Sequence, residues 1–285
     1  MTDSTSPAAS KAIFLDIDGT YADRGTVPDA HRDAVRAARA AGHLVFLCTG
    51  RPESLIFPQM LDAGFDGVVA AAGAHVTVHG EMLQDLRFPD DLAARTLAAL
   101  DAHDGLYWIE TPEATYCRQD TVDRFEDFLP AHMKQPTNGG VAKARLQVLS
   151  HLTVVDQLRP IRIGKVTVTH ADAPLTDIAA EIGADIGVIG SSIPGMGDRA
   201  GELYMAHVHK ATGIEAVIAH LNIAQEDVIA FGDGPNDIEM LAYASVGVAV
   251  EGAAEALLAV ADRTCGRPGD GGLAVAFAEL GLVTS

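Results

Sequence analysis

Two aspartates follow a short apolar run near the start of the chain. The run AIFL at 12–15 leads into Asp16, and Asp18 follows after one intervening residue. On an extended chain, residues two apart point to the same side, and like charges at that range oppose each other's ionisation. A polar turn would explain the pattern, because Asp, Gly and Thr are common turn residues. A carboxylate site at the carboxyl end of a parallel strand would explain it too, because open α/β sheets bind ligands there.

Two further apolar segments also end in polar residues. Thr49, Gly50 and Arg51 follow one of them, and Asp233 and Asp237 follow the other. The carboxyl ends of parallel strands lie at one sheet edge, so up to four carboxylates are expected to converge there. Unpaired carboxylates would repel one another, and a small set of oxygen ligands favours Mg²⁺ over Zn²⁺. The three clusters together therefore predict a magnesium site, although each cluster alone is equally compatible with an ordinary turn.

The elements that must position these residues alternate between strand and helix. The apolar spacing predicts a helix over 28–42, a buried strand over 43–50 and another strand over 67–73. The same alternation returns from residue 201, whereas 89–194 mixes helices with strands that look antiparallel. We therefore predict an α/β fold with a doubly wound, Rossmann-like parallel-sheet core and an inserted α+β cap domain.

The chain divides into four stretches on this interpretation. Residues 1–10 are predicted to be a disordered leader, 11–88 and 195–285 the catalytic core, and 89–194 the cap. A chain of 285 residues is near the size at which a single core splits in two. An insertion of this length is within the usual size range of a domain.

Composition excludes several kinds of partner. The chain has 39 acidic and 20 basic residues, and its formal charge of −19 argues against nucleic acid or an anionic membrane surface as a partner. No apolar run approaches the roughly 20 residues that span a bilayer. Three cysteines without C-x-x-C spacing support neither a disulfide framework nor a zinc cluster. We expect a cytoplasmic protein, and nothing in the sequence implies a protein partner.

The order and spacing of the motifs resemble the haloacid dehalogenase-like hydrolase superfamily. The matching stretches are DIDGT, TGR, a lysine that opens a helix (Lys210) and GDGPNDIEML. Within the superfamily, the chain is similar to the Cof-type phosphatases, which carry a large cap between the second and third motifs. Two positions depart from the pattern of these phosphatases, because Ala72 stands where Asn is usual and Ala211 where Gly is usual. These departures affect substrate contacts and loop geometry, not the reaction class.

The resemblance implies a role for each matched residue. Asp16 would attack phosphorus to form an aspartyl phosphate, and Asp18 would act first as general acid and then as general base. Asp16, the backbone carbonyl of Asp18, and Asp233 would hold Mg²⁺. The remaining candidates are phosphate or substrate ligands (Thr49, Gly50, Lys210 and Asn236), a residue that orients a metal-bound water or the lysine (Asp237), and a residue that contacts substrate or forms a structural salt bridge (Arg51).

The implied function is a Mg²⁺-dependent phosphatase acting on a small phosphorylated metabolite, with a sugar phosphate as the expected substrate. Closure of the cap would exclude water and select the substrate. Two alternatives stay open, a phosphomutase on the same core and a non-catalytic sensor of a phosphorylated ligand. The presence of every motif carboxylate and of Lys210 argues against the sensor.

Overall fold

The computed structural model describes residues 10–128, 149–191 and 195–283. The predicted leader at 1–10 lies outside the described residues except for its last position. The strands, in chain order, are β1 (Ala12–Leu15), β2 (Leu44–Cys48), β3 (Gly67–Ala70), β4 (His75–Val78), β5 (Glu81–Asp85), β6 (Leu106–Glu110), β7 (Thr115–Cys117), β8 (Leu152–Val154), β9 (Lys165–His170), β10 (Ile186–Gly190), β11 (Gly201–Met205), β12 (Val228–Gly232), β13 (Val246–Val250) and β14 (Arg263–Cys265).

The helices alternate with the strands at both ends of the chain. In chain order they are α1 (Asp29–Ala40), α2 (Pro58–Leu61), α3 (Asp90–Ala102), α4 (Gln119–Arg124), α5 (Leu175–Ile182), α6 (Lys210–Leu221), α7 (Ile238–Tyr243), α8 (Glu255–Leu258) and α9 (Gly272–Glu279). No helix among the described residues is long and apolar enough to cross a lipid bilayer.

An eight-stranded sheet has the order β14-β13-β12-β1-β2-β3-β4-β5. Its strands run parallel from β14 to β3, and the hairpin of β4 and β5 adds two antiparallel strands at one edge. All residues of β1 are buried, because Ile13 and Leu15 enter the apolar layer shared with α1 and α9 while Phe14 enters the layer shared with α6 and α7. This doubly covered parallel sheet confirms the predicted α/β fold class.

A second, six-stranded sheet has the order β10-β11-β9-β6-β7-β8 and is mainly antiparallel. Alternate residues point to opposite faces of a strand. One face of β9 and β11 therefore buries Val166, Val168 and Leu203 against α3 and α5, while the other face carries polar residues that include Lys165 and Glu202.

One strand differs from the sequence interpretation. The segment from residue 201 was expected to resume the parallel core, but β11 pairs antiparallel with both β9 and β10 in the six-stranded sheet. A short apolar strand can join either sheet, because its burial pattern does not specify its neighbours. The predicted domain boundaries themselves stay a prediction.

Candidate active site

The ends of β1, β2 and β12 meet at one edge of the eight-stranded sheet. Leu15 of β1 is in register with Leu47 of β2 and with Phe231 of β12. Asp16, the next residue along the chain, still donates its backbone N–H to the Phe231 carbonyl at 3.0 Å. The polar residues that follow the three strands therefore lie together, as the spacing predicts.

Lys210 lies between two of these carboxylates. It is the first residue of α6 and is fully buried, and its Nζ donates to Asp16 Oδ1 at 2.6 Å and to Asp237 Oδ1. The other oxygen of Asp237 accepts hydrogen bonds from the backbone N–H groups of Asp233 and Gly234, both at 2.9 Å. Asp237 thus fixes the ammonium of Lys210 on one side and the backbone of the Asp233 loop on the other.

This cluster has more carboxylates than ammonium groups. Burial raises the pKa of Asp16 well above its usual value, and Asp237 and Asp233 raise it further, while Lys210 opposes the shift. Burial and the charge of Asp237 also raise the pKa of Asp233 to about 6. Burial alone would lower the pKa of Lys210, but the charges of Asp16 and Asp237 raise it above its ordinary value, so the ammonium stays protonated. One lysine charge therefore leaves the carboxylates incompletely neutralised.

The oxygen atoms present fit a hard divalent cation. Carboxylate oxygens of Asp16, Asp233 and Asp237 lie within 4.8 Å of one another. Both oxygens of Asp237 already accept hydrogen bonds, whereas no described residue donates one to Asp16 Oδ2, to Asp233 Oδ2 or to the Asp18 carbonyl oxygen. A set of oxygen donors that repel one another suits Mg²⁺. Of these three carboxylates, Asp237 is thus the one with no free side-chain oxygen.

The turn after Asp18 leaves room for Asp233. Gly19 has φ +97°, and a Cβ atom there would lie only 2.2 Å from Asp233 Oδ2, so a larger residue would displace the carboxylate. Thr20 Oγ1 donates to Asp233 Oδ1 at 3.0 Å. Tyr21, the next residue, is buried in the apolar layer shared with α1 and α9.

Arg51 contacts Asp18 through two hydrogen bonds. Its Nε and Nη2 donate to the Asp18 carboxylate at 2.6 and 2.7 Å, and its Nη1 donates to the Leu55 carbonyl at 3.0 Å. Asp18 is about half exposed, whereas Asp16 is buried. Of the two roles expected for Arg51, the structure therefore has the salt bridge, and its partner is the predicted general acid and base.

Thr49, Gly50 and Asn236 lie at the neighbouring loops. Thr49 is buried, and its Oγ1 accepts the backbone N–H of Arg51 at 3.1 Å. Asn236 Nδ2 lies 3.2 Å from the position that a Cβ on Gly50 would take. The amide of Asn236 thus lies next to the Thr49–Arg51 loop. Thr49, Gly50 and Asn236 are all predicted phosphate or substrate ligands.

The sequence interpretation did not identify a second charged cluster at this loop. Lys165 of β9 donates to the Gly50 carbonyl at 2.6 Å and pairs with Glu202 at 2.8 Å and with Glu110 at 3.1 Å. A signal was present, because a lysine opens the strand KVTVTH at a position where buried strands rarely carry a charge. The residues it pairs with are far apart in the chain, so no local motif joins them.

Comparison with known proteins gives one family over nearly the whole chain. A family model described as haloacid dehalogenase-like hydrolase matches residues 13–277. "Putative phosphatase YkrA" of Bacillus subtilis (strain 168) is 27% identical over 280 residues, covering 96% of this chain and 99% of that protein. "Putative phosphatase YxeH" of the same strain is 26% identical and covers 95% of this chain and 98% of its own.

A solved structure agrees with the fold. The structure described as the HAD subclass IIB sugar phosphatase BT4131 superposes with a TM-score of 0.77 at 24% identity, covering 96% of this chain and 100% of that one. Because the superposition covers nearly all of both chains, the structural similarity extends over both sheets.

Proposed function

Because the chain belongs to the haloacid dehalogenase-like hydrolase family and is a phosphatase, we propose that it hydrolyses a small phosphorylated metabolite through an aspartyl phosphate, with Mg²⁺ as cofactor. The observation that carries the proposal is the buried Asp16 carboxylate, held by Lys210 at the end of β1 beside Asp233. A nucleophile must be kept in one orientation while its charge is retained, and a buried ammonium does both.

The reaction has two steps on this proposal. A carboxylate oxygen of Asp16 attacks phosphorus, the bond from phosphorus to the leaving oxygen breaks, and Asp18 gives that oxygen a proton. Water then attacks phosphorus, Asp18 takes a proton from the water, and orthophosphate leaves as the Asp16 carboxylate re-forms. The side chain of Asp18 is half exposed, which suits a group that must exchange protons with substrate and water.

The phosphoryl group would be bound by donors from three loops. The hydroxyl of Thr49, the backbone at Gly50, the ammonium of Lys210 and the amide of Asn236 are the proposed ligands. Asp16, the Asp18 carbonyl and Asp233 would hold Mg²⁺, which supplies positive charge to the phosphoryl oxygens. Their free oxygen atoms support this assignment.

Arg51 would hold Asp18 for its part in the reaction. Two parallel hydrogen bonds from a guanidinium hold a carboxylate in one plane. We therefore propose that the ion pair positions Asp18 as a base and loosens when Asp18 carries the proton for the leaving oxygen.

The substrate we propose is a sugar phosphate. The structurally similar BT4131 is described as a sugar phosphatase. The six-stranded sheet with α3, α4 and α5 would form the cap, extending the predicted insertion to include β11. Glu202 is partly exposed on the face of this sheet that meets the Thr49–Arg51 loop, and a carboxylate there suits a hydroxylated leaving group.

Buried free cysteines agree with the cytoplasmic location we propose.

The decisive experiment compares the wild type with Asp16→Asn on a generic phosphate ester, with Mg²⁺ and with a chelator. Asp33→Asn is the matched control, because Asp33 is an exposed aspartate on α1. We expect turnover only in the wild type and the control, and only with metal. A panel of phosphorylated metabolites ranked by kcat/KM would then identify the substrate.

Three results would contradict parts of the proposal. Turnover by Asp16→Asn would exclude the aspartyl phosphate, and turnover with chelator would exclude the metal. A wild type that binds phosphorylated ligands but hydrolyses none would indicate the sensor.

A further inference from the structure

The carbonyl oxygens of the Thr49–Arg51 loop are bound by two different parts of the molecule. Ala72 N–H donates to the Thr49 carbonyl at 2.9 Å, and Ala71 N–H donates to the Arg51 carbonyl at 2.7 Å. Successive carbonyls of an extended chain point in opposite directions. The Gly50 carbonyl therefore points away from Ala71 and Ala72, and its donor is Lys165 Nζ at 2.6 Å.

Lys165 is buried and its charge is paired with two carboxylates. Its ammonium, which is only 2% exposed, contacts the Gly50 carbonyl, Glu202 Oε2 at 2.8 Å and Glu110 Oε2 at 3.1 Å. Two of its N–H groups donate hydrogen bonds, to the Gly50 carbonyl and to Glu202, and the Glu110 carboxylate forms an ion pair with it. Burial would lower the pKa of Lys165, but the charges of Glu110 and Glu202 raise it, so the donor at Gly50 stays protonated.

The six-stranded sheet fixes the lysine in turn. The other oxygen of Glu110, Oε1, accepts from Trp108 Nε1 at 3.1 Å and from Thr167 Oγ1 at 2.6 Å. Trp108, Glu110, Lys165 and Thr167 lie on adjacent strands in register. The ammonium is therefore held rigidly by one sheet while it binds a loop of the other.

A second contact joins the same two parts a few residues later. Ser54 Oγ donates to the Thr111 carbonyl at 3.1 Å and lies 3.2 Å from Thr115 Oγ1. The segment from Thr49 to Ser54 is thus attached to the six-stranded sheet at both ends. Between these attachments lies Arg51, the partner of Asp18.

We propose that Lys165 is a positioning residue, which fixes the phosphate-binding loop through the Gly50 carbonyl when the six-stranded sheet is docked. The proposal rests on the proposed function for the role of that loop. Without Lys165, Gly50 loses the only described donor to its carbonyl, and the backbone between Thr49 and Arg51 can rotate. With Lys165 present, docking of the six-stranded sheet also completes the phosphate site.

The test compares Lys165→Met with Lys11→Met, a lysine that pairs with Asp227 far from the loop. The probes are inorganic phosphate as a competitive inhibitor and hydrogen exchange of the peptide spanning 49–55. In Lys165→Met we expect orthophosphate affinity to fall about tenfold or more, with KM rising more than kcat falls. Amide exchange in the peptide should accelerate. Lys11→Met should match the wild type in each measurement.

Two outcomes would overturn the proposal. One is a folded Lys165→Met protein with wild-type orthophosphate affinity and wild-type exchange at 49–55; the other is a lower melting temperature with unchanged KM, which indicates a merely structural lysine. If Lys165→Met does not fold, the same measurements apply to the triple variant with Glu110→Gln and Glu202→Gln, which leaves no buried charge unpaired. If the wild type hydrolyses no ester, the proposed function fails, but exchange at 49–55 still decides the role of Lys165.

Discussion

Two buried lysines, one in each half of the molecule, lie between paired carboxylates. Lys210 contacts Asp16 and Asp237 at the edge of the eight-stranded sheet. Lys165 contacts Glu110 and Glu202 on the six-stranded sheet, and it also binds the Gly50 carbonyl of the other sheet. The two groups that accept hydrogen bonds from Lys210 are side-chain carboxylates, whereas Lys165 also donates to a backbone carbonyl.

A similar arrangement of charges therefore serves two purposes in this protein. In both clusters burial opposes the positive charge and two carboxylates restore it, so both lysines have a raised pKa. Lys210 acts on the carboxylate that we propose as nucleophile, so its effect is on chemistry. Lys165 acts on a backbone segment, so its effect is on the shape of the phosphate site.

Replacing each lysine by methionine should separate the two clusters by their kinetics. Lys210→Met should lower kcat by about 10³-fold, because it removes a charged group in direct contact with the nucleophile. Lys165→Met should act mainly on KM. Both variants leave buried carboxylates unpaired, so each should lose about 3–5 kcal/mol of unfolding free energy. Steady-state kinetics and urea unfolding measure these effects, and a Lys210→Met enzyme with wild-type kcat would remove the distinction.

A second variant tests Arg51, which lies between Gly50 and Ser54, the two residues that contact the six-stranded sheet. Arg51→Ala should lower kcat/KM by about 10- to 100-fold, because Asp18 loses its bidentate partner and reorients. Arg51→Lys is the matched control, since it keeps the charge but cannot form both hydrogen bonds, and it should recover only part of the activity. Full activity of Arg51→Lys would mean that charge alone matters at this position.

A third prediction concerns the boundary between the two sheets. His75 of β4 is buried beside Asp85, and a Cβ on Gly164, next to Lys165 in the chain, would lie 3.6 Å from His75 Nε2. Burial lowers the pKa of His75 from 6.5 to about 4, against the charge of Asp85. Between these values the unfolded chain binds more protons than the folded one, so stability is complete above about pH 6.5 and falls as the pH decreases toward 4.

Unfolding by urea at pH 7 and at pH 5 measures this dependence. His75→Asn should show a shallower loss of stability than the wild type. His79→Asn, at an exposed turn of the same hairpin, is the control and should keep the wild-type slope. Equal slopes for all three proteins would exclude His75 as the titrating group.

A weaker effect is expected at the loop whose backbone N–H groups bind the Thr49 and Arg51 carbonyls. Ala72 has φ +55°, in the left-handed region that costs an L-residue about 1–2 kcal/mol. Ala72→Gly should therefore stabilise the fold by about 0.5–1 kcal/mol, after the entropy cost of glycine. Ala98→Gly, on the exposed side of α3, should instead destabilise it by about 1 kcal/mol. Urea unfolding measures both, and the same sign for both variants would contradict the prediction.

Much of the fold was predictable from the sequence, and one strand was not. Continuous apolar runs predicted β1, β2 and β12 as buried parallel strands, because only a sheet covered on both faces buries every side chain. β11 was assigned to the wrong sheet, because a run such as GELYM specifies burial but not partners. Part of the candidate site was predictable as well, because Asp16, Lys210 and Asp233 stand in recognisable local motifs.

The family, the parallel sheet and the side chains that meet at its edge were predictable from local patterns, because each depends on short motifs and on strand direction. Which carboxylate oxygens stay free, and which charged groups pair with one another, became visible only in the folded chain. Arg51 pairs with Asp18, 33 residues away in the chain, and Lys165 binds Gly50 across 115 residues. Such pairings depend on how two sheets dock, and no spacing within one segment encodes that geometry.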